Sequence, residues 1–203
     1  MINRTNVRWL TQIALLAAIL LVLNYTPLGY LQVGPLAASL LTVPVAIGAI
    51  TMGPAAGALL GALFGATSFL QALQGKSVMG GALFAVSPAG YFVVSVIGRV
   101  LMGLCVGLIF AALQKALPKK EKLTCYIAAF CAPFLNTVFY MGLLVAIFYN
   151  SEFVQNLAAK KGATNPLMFI VLVVGVQAVI EWCVCCAVAG TITLPVRKYM
   201  KNN

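Results

Sequence analysis

The sequence holds no histidine and only three carboxylate side chains, Glu121, Glu152 and Glu181, in 203 residues. Without histidine, HExxH metalloproteases, most catalytic triads and haem held by His are excluded. Three carboxylates leave almost nothing from which to build a carboxylate-lined ion pathway or a two-carboxylate glycosidase site. Charge of either sign is scarce, at 8% of the chain against 63% apolar residues, and the mean hydropathy is +1.04. A soluble domain carries about 25% charged residues, so too little polar material is present to cover a water-facing surface. The length allows about six spans of roughly 20 residues with short loops. The expected fold is an all-α polytopic membrane protein of six transmembrane helices, one transmembrane domain over residues 1–203. The net charge of +10 sits beside apolar runs, where it marks orientation. Nucleic-acid binding is therefore not expected.

What is present is a series of apolar runs, predicting spans near residues 9–25, 36–52, 55–73, 88–117, 123–149 and 166–195. The first follows Arg4 and Arg8 and lacks a small-x-small cleavage site before Tyr25, so it reads as a retained helix. Thr26 to Pro35, with two prolines and two glycines, reads as a loop, and the short second run as a helix bent by Pro44. Gly53-Pro54 is a breaker, and Pro54, Pro88 and Pro166 suit the first turns of helices. Gln74–Ser87 and Asn150–Asn165 read as polar loops, and Pro133 as a kink in the fifth span. With both termini inside, the cytoplasmic segments hold Arg4, Arg8, Lys115, Lys119, Lys120, Lys122, Arg197, Lys198 and Lys201, against Lys76, Lys160 and Lys161 outside. That imbalance predicts an N-in, C-in topology.

The third span carries Gly53, Gly57, Gly61 and Gly65 at four-residue spacing, and the fourth carries Gly103 and Gly107. Such small-xxx-small faces let helix backbones approach in lipid, and packing alone accounts for them. Two ionisable residues fall inside spans, Arg99 and Glu181. Placing a charge there is costly, which makes each a candidate functional residue. Counted from Pro88 and Pro166 they lie about 17 Å and 22 Å along their helices, similar depths. Two readings are open: a structural ion pair, or an Arg99 that faces an anionic ligand group with Glu181 positioning it or taking a ligand donor. Asn136 with Tyr140, and Gln177 with Glu181, are one turn apart and share helix faces. Thr137, Ser68, Gln71, Gln74, Tyr91 and Trp182 lie at comparable depth or nearer the outside. Amides, phenols and one Arg are poor at catalysis and well suited to hydrogen-bonding a polar small molecule. For any single member, interhelical glue explains it as well.

Two motifs are discounted. Gly75-Lys76-Ser77 looks like the end of a P-loop, but position 70 is Leu where that motif needs glycine. The six cysteines, Cys183, Cys185 and Cys186 among them, fall in the membrane halves assigned to the reducing side. They read as free thiols packing as small apolar groups, with no metal expected.

The sequence resembles the substrate-binding S components of energy-coupling factor (ECF) transporters, bacterial vitamin importers. The resemblance spans nearly the whole chain. It is carried by the basic N-terminus with Ala14 and Ala18 four apart and by the block from Val43 through Gly53-Pro54 to Gly65. Gly98-Arg99 with Gly103 and Gly107, and the pair Asn136-Thr137, fit the same pattern. It implies a non-enzymatic protein without cofactor in the bacterial cytoplasmic membrane. Such a protein captures a vitamin near the outer face, docks on a transmembrane coupling subunit powered by two ATPases, and topples to release its cargo. Ala14 and Ala18 would form the docking surface, and the 26–35 and 74–87 loops would gate the site. The candidate vitamin contacts are Arg99, Asn136, Tyr140, Gln177, Glu181, Gln71 and Tyr91. The resemblance is nearest to pantothenate S components, with riboflavin and folate as alternatives. Other classes are a ligand-free structural membrane protein and an intramembrane lipid-modifying enzyme using Glu181 or a Cys.

Overall fold

The computed structural model describes residues 4–26, 29–33 and 36–202. Helix α1 (Arg4–Tyr25) leads to a short antiparallel hairpin, β1 (Tyr30–Val33) and β2 (Leu36–Ser39), with Tyr30 opposite Ser39 and Val33 opposite Leu36. Then come α2 (Thr42–Met52), α3 (Pro54–Leu73) and α4 (Val78–Val86). Next, α5 (Pro88–Phe92), a π-helical stretch (Val93–Ile97) and α6 (Gly98–Ala116) form one continuous rod. The chain ends with α7 (Glu121–Phe148), α8 (Glu152–Lys161) and α9 (Pro166–Asn202). Five helical runs are long and apolar enough to cross a membrane: Val7–Tyr25, Pro54–Leu73, Pro88–Ala116, Glu121–Phe148 and Pro166–Met200. With the shorter apolar α2 they make a helical membrane protein of five to six candidate spans.

The second expected span is where sequence and structure part. Its first residues form β2, and only Thr42–Met52 is helical, about 16 Å of rise. The hairpin likewise occupies much of the expected 26–35 loop, of which positions 27, 28, 34 and 35 lie outside the described residues. Pro44 does not bend α2. It is the helix's third residue, in the first turn, where a missing N–H removes no helical bond. Gly53, at φ 96°, then reverses the chain directly into α3, with Pro54 in the first turn. Both expected polar loops contain a short helix. Ser77 caps α4 by accepting from Gly80 N–H at 3.1 Å, and left-handed Gly162 closes α8. Helix α9 also runs past Pro195, where an end was expected. The continuation carries Arg197, which donates to Glu121 Oε1 (3.0 Å), Ile50 O (2.8 Å) and Gln114 Oε1 (2.8 Å) and lies over the Phe110 ring. Those contacts offset the carbonyl that Pro195 leaves without its usual donor.

Helix α2 sits at the centre, every residue from Thr42 to Ile50 buried, with α3, α6, α7 and α9 packed around it. The tightest seam joins α3 to α6. A side chain on Gly57, Gly61 or Gly65 would collide with the backbone of Gly103, Arg99 or Ser95, respectively. Two apolar clusters result. One surrounds α2 at the end bearing the termini, and one lies at the hairpin end around Tyr91, Leu144, Phe148 and Phe169.

Candidate functional site

Between these clusters, below the hairpin, lies a cavity of about 330 Å³. It opens where α2 gives way to β2, so its walls come from the helices that would otherwise have packed on a longer α2. Arg99, the second residue of α6, is 8% exposed and lies on the cavity wall. Its Nη1 donates to Ser95 O at 2.8 Å. Its guanidinium lies 4.3 Å from the Phe64 ring centre and 4.8 Å from that of Tyr140, cation–π distances that favour the charge inside an apolar wall.

Glu181 of α9, also 8% exposed, lines the same cavity. Its Oε1 accepts from the Ser39 backbone N–H (2.8 Å) and from Gln177 Nε2 (3.1 Å). The depth argument from sequence thus brings Arg99 and Glu181 to one chamber. Their described contacts are separate, however, with the carboxylate turned to the end of the hairpin and the guanidinium to Ser95 and the two rings. Asn136 and Thr137 of α7 complete this wall. Thr137 Oγ1 donates to Pro133 O at 3.1 Å, and Asn136 Oδ1 is buried with no hydrogen-bond partner. A buried acceptor left unmade costs about 1–3 kcal/mol, so a donor supplied by an occupant would be favoured there.

Of the residues picked from sequence, Arg99, Asn136, Tyr140, Gln177 and Glu181 line the cavity, and Gln71 and Tyr91 are not among its lining residues. Gln71 Nε2 donates to Asn24 O at 3.1 Å and ties α3 to α1. Tyr91 is buried against Phe69, their rings 6.0 Å apart. Sequence reasoning missed Ser39, Phe64 and Ser77, all on the cavity wall. Ser39 was hidden in what read as a span. The signal for Phe64 was its place beside Gly65 on the helix that faces Arg99. Among the described residues no group of three His, Cys, Asp or Glu could hold a metal ion, and the six cysteines are free thiols. On α1, Ala14 and Ala18 are exposed, as are Leu15 and Val22 on the same helix.

A polar chamber inside an apolar bundle, lined by amides, hydroxyls, a phenol and two charged groups, suits hydrogen-bonding a small polar ligand. The comparison with known families agrees. Residues 8–193 match the family described as the substrate-specific component of ECF transporters. The chain belongs to that family. No curated protein matches the chain. As an ECF S component it is a multi-pass membrane protein that binds a small substrate and works with the energising module of the transporter. Membership sets aside the lipid-modifying enzyme and the ligand-free structural protein.

Proposed function

We propose that this S component captures pantothenate from the outer side of the bacterial cytoplasmic membrane and delivers it to the coupling subunit and two ATPases of an ECF importer. The observation that carries the cargo assignment is Arg99, a buried guanidinium on a cavity wall whose other charged group, Glu181, accepts from Ser39 and Gln177 and whose remaining polar groups are neutral amides, hydroxyls and a phenol. A cation held at that depth is costly, and a ligand carboxylate is the group that repays it. Pantothenate also carries hydroxyls and an amide N–H, donors that suit Asn136 Oδ1 and the Glu181 carboxylate, both of whose described hydrogen bonds fall on Oε1. The size agrees. A cavity of about 330 Å³ lies at the small end of ligand sites, roughly 300–1,000 Å³. For about 15 heavy atoms, nanomolar binding needs only about −0.8 kcal/mol per atom. Folate is about twice that size, and among the described lining residues a flavin ring would find Phe64 and Tyr140 as aromatic partners, both already taken by Arg99.

The test is isothermal titration of the purified chain in detergent with pantothenate, riboflavin and folate, followed by the same titrations on Arg99→Ala. Pantothenate should bind alone of the three, and the substitution should weaken it by about 10–150-fold, the worth of a charged hydrogen bond. Tight binding of riboflavin or folate with none of pantothenate would overturn the assignment.

A further inference from the structure

The rod Pro88–Ala116 is not uniform. Val93–Ile97 is π-helical, with Gly98 N–H donating to Val93 O, and single π turns inside α-helices are frequent at functional sites. Here the widened turn ends just before Arg99. Ser95, fully buried in it, donates from Oγ to Tyr91 O at 2.7 Å, and its carbonyl accepts Arg99 Nη1 at 2.8 Å. That carbonyl sits in a notch made by one residue of the facing helix. A Cβ on Gly65 would lie 2.5 Å from Ser95 O and 2.6 Å from Val96 Cα. Phe64, the next residue back, supplies one of the rings against the guanidinium.

We infer that Gly65 and Ser95 are positioning residues that set the charge selectivity of the cavity: the Gly65 notch fixes the Ser95 carbonyl, and that carbonyl aims the Arg99 guanidinium. The inference rests on Arg99 receiving the ligand's carboxylate. Adding a Cβ at position 65 must move the π turn away from α3 and carry the anchor of Arg99 with it. A Cβ on Gly57 would meet Gly103 O and Ala49 Cβ in the same seam, equal crowding well away from the guanidinium. It is the control for a merely structural cost.

The readout is discrimination, the ratio of affinities for pantothenate and for pantothenol, its neutral alcohol analogue. Gly57→Ala and Gly65→Ala should both lower the thermal midpoint. Only Gly65→Ala should lower the ratio, by about tenfold or more, the worth of a charged contact. Ser95→Ala adds no bulk and removes only the hydroxyl that braces the turn to Tyr91 O and, at 3.5 Å, Phe92 O. It should lower the ratio about threefold, as for one neutral hydrogen bond. A ratio that falls equally in all three variants, or in none, overturns the inference. A wild-type protein that binds the two compounds alike overturns the pantothenate assignment instead. The positioning role is then decided without ligand, by the rate at which phenylglyoxal modifies Arg99, read by mass spectrometry. Faster modification in Gly65→Ala than in wild type and Gly57→Ala upholds it, and equal rates overturn it.

Discussion

Asn136 and Glu181 make opposite predictions about stability, because one is unsatisfied and the other is in use. Asn136 Oδ1 is a buried acceptor with no partner. Replacing it with the near-isosteric leucine should raise the thermal midpoint of the empty protein, removing a penalty of about 1–3 kcal/mol, while weakening the proposed ligand, pantothenate, about tenfold. Glu181 accepts the Ser39 N–H, so Glu181→Leu should speed deuterium exchange at the base of the hairpin. Glu181→Gln keeps an acceptor oxygen and should leave that exchange near wild type. If glutamine and leucine behave alike in exchange, the hydrogen bond to Ser39 contributes nothing to the hairpin. Arg99 and Glu181 were legible in the sequence because an ionisable group stands out in an apolar run. Gln71 and Tyr91 are of the same polar kind, yet they face α1 and Phe69. In lipid both faces of a helix can be apolar, so no amphipathic phase tells which polar residue turns inward. Ser39 was invisible for another reason, being a strand end enclosed by leucine and alanine.

At the scale of elements, Arg197 cross-links four helices at the end of the bundle bearing the termini. Arg197 of α9 joins α7 through Glu121, α6 through Gln114 and Phe110, and α2 through Ile50 O. Glu121 is a third exposed, at 33% against 14% for Arg197, so the pair is worth less than a fully buried one. Arg197→Ala should destabilise the protein by about 2 kcal/mol in chemical unfolding. Lysine should not restore it, because a point ammonium cannot address three acceptors set around a planar fork. A lysine variant as stable as wild type would show that only the charge matters. The helices long enough to span were readable from hydropathy, and their starts at Pro54, Pro88 and Pro166 from proline chemistry. The continuation of α9 beyond Pro195 was not readable, since it depends on partners that lie elsewhere in the chain. The same holds for the hairpin: an apolar strand end and an apolar helix start are alike in composition.

For the whole molecule, the basic residues predict that both termini and the α6–α7 turn lie in the cytoplasm and that α8 lies outside. Membrane-impermeant labelling of a single cysteine placed at Lys160, in a cysteine-free background, should proceed from outside in intact cells. One placed at Lys119 should not react until the cells are opened. The exposed Ala14 and Ala18 on α1 are proposed as the face that meets the coupling subunit. Tryptophan at both positions should abolish co-purification with the energising module and uptake into vesicles while leaving substrate affinity unchanged. Loss of affinity as well would place that face in the binding fold instead.

The half-length α2 has a consequence for how such a chamber comes to exist at all. A helix rising about 16 Å stops roughly 14 Å short across a hydrocarbon layer about 30 Å deep. A cylinder about 10 Å wide and that long is on the order of 1,000 Å³ of bundle left without a rod. The hairpin backfills part of it, and the cavity of about 330 Å³ lies in the remainder. The chamber is therefore made by subtraction, with Phe64 and Ser68 of α3 and Arg99 of α6 forming one of its walls. Its depth can be recut by lengthening or shortening the segment between Tyr30 and Leu41 while the Gly57–Gly103 contact of the α3–α6 seam stays as it is.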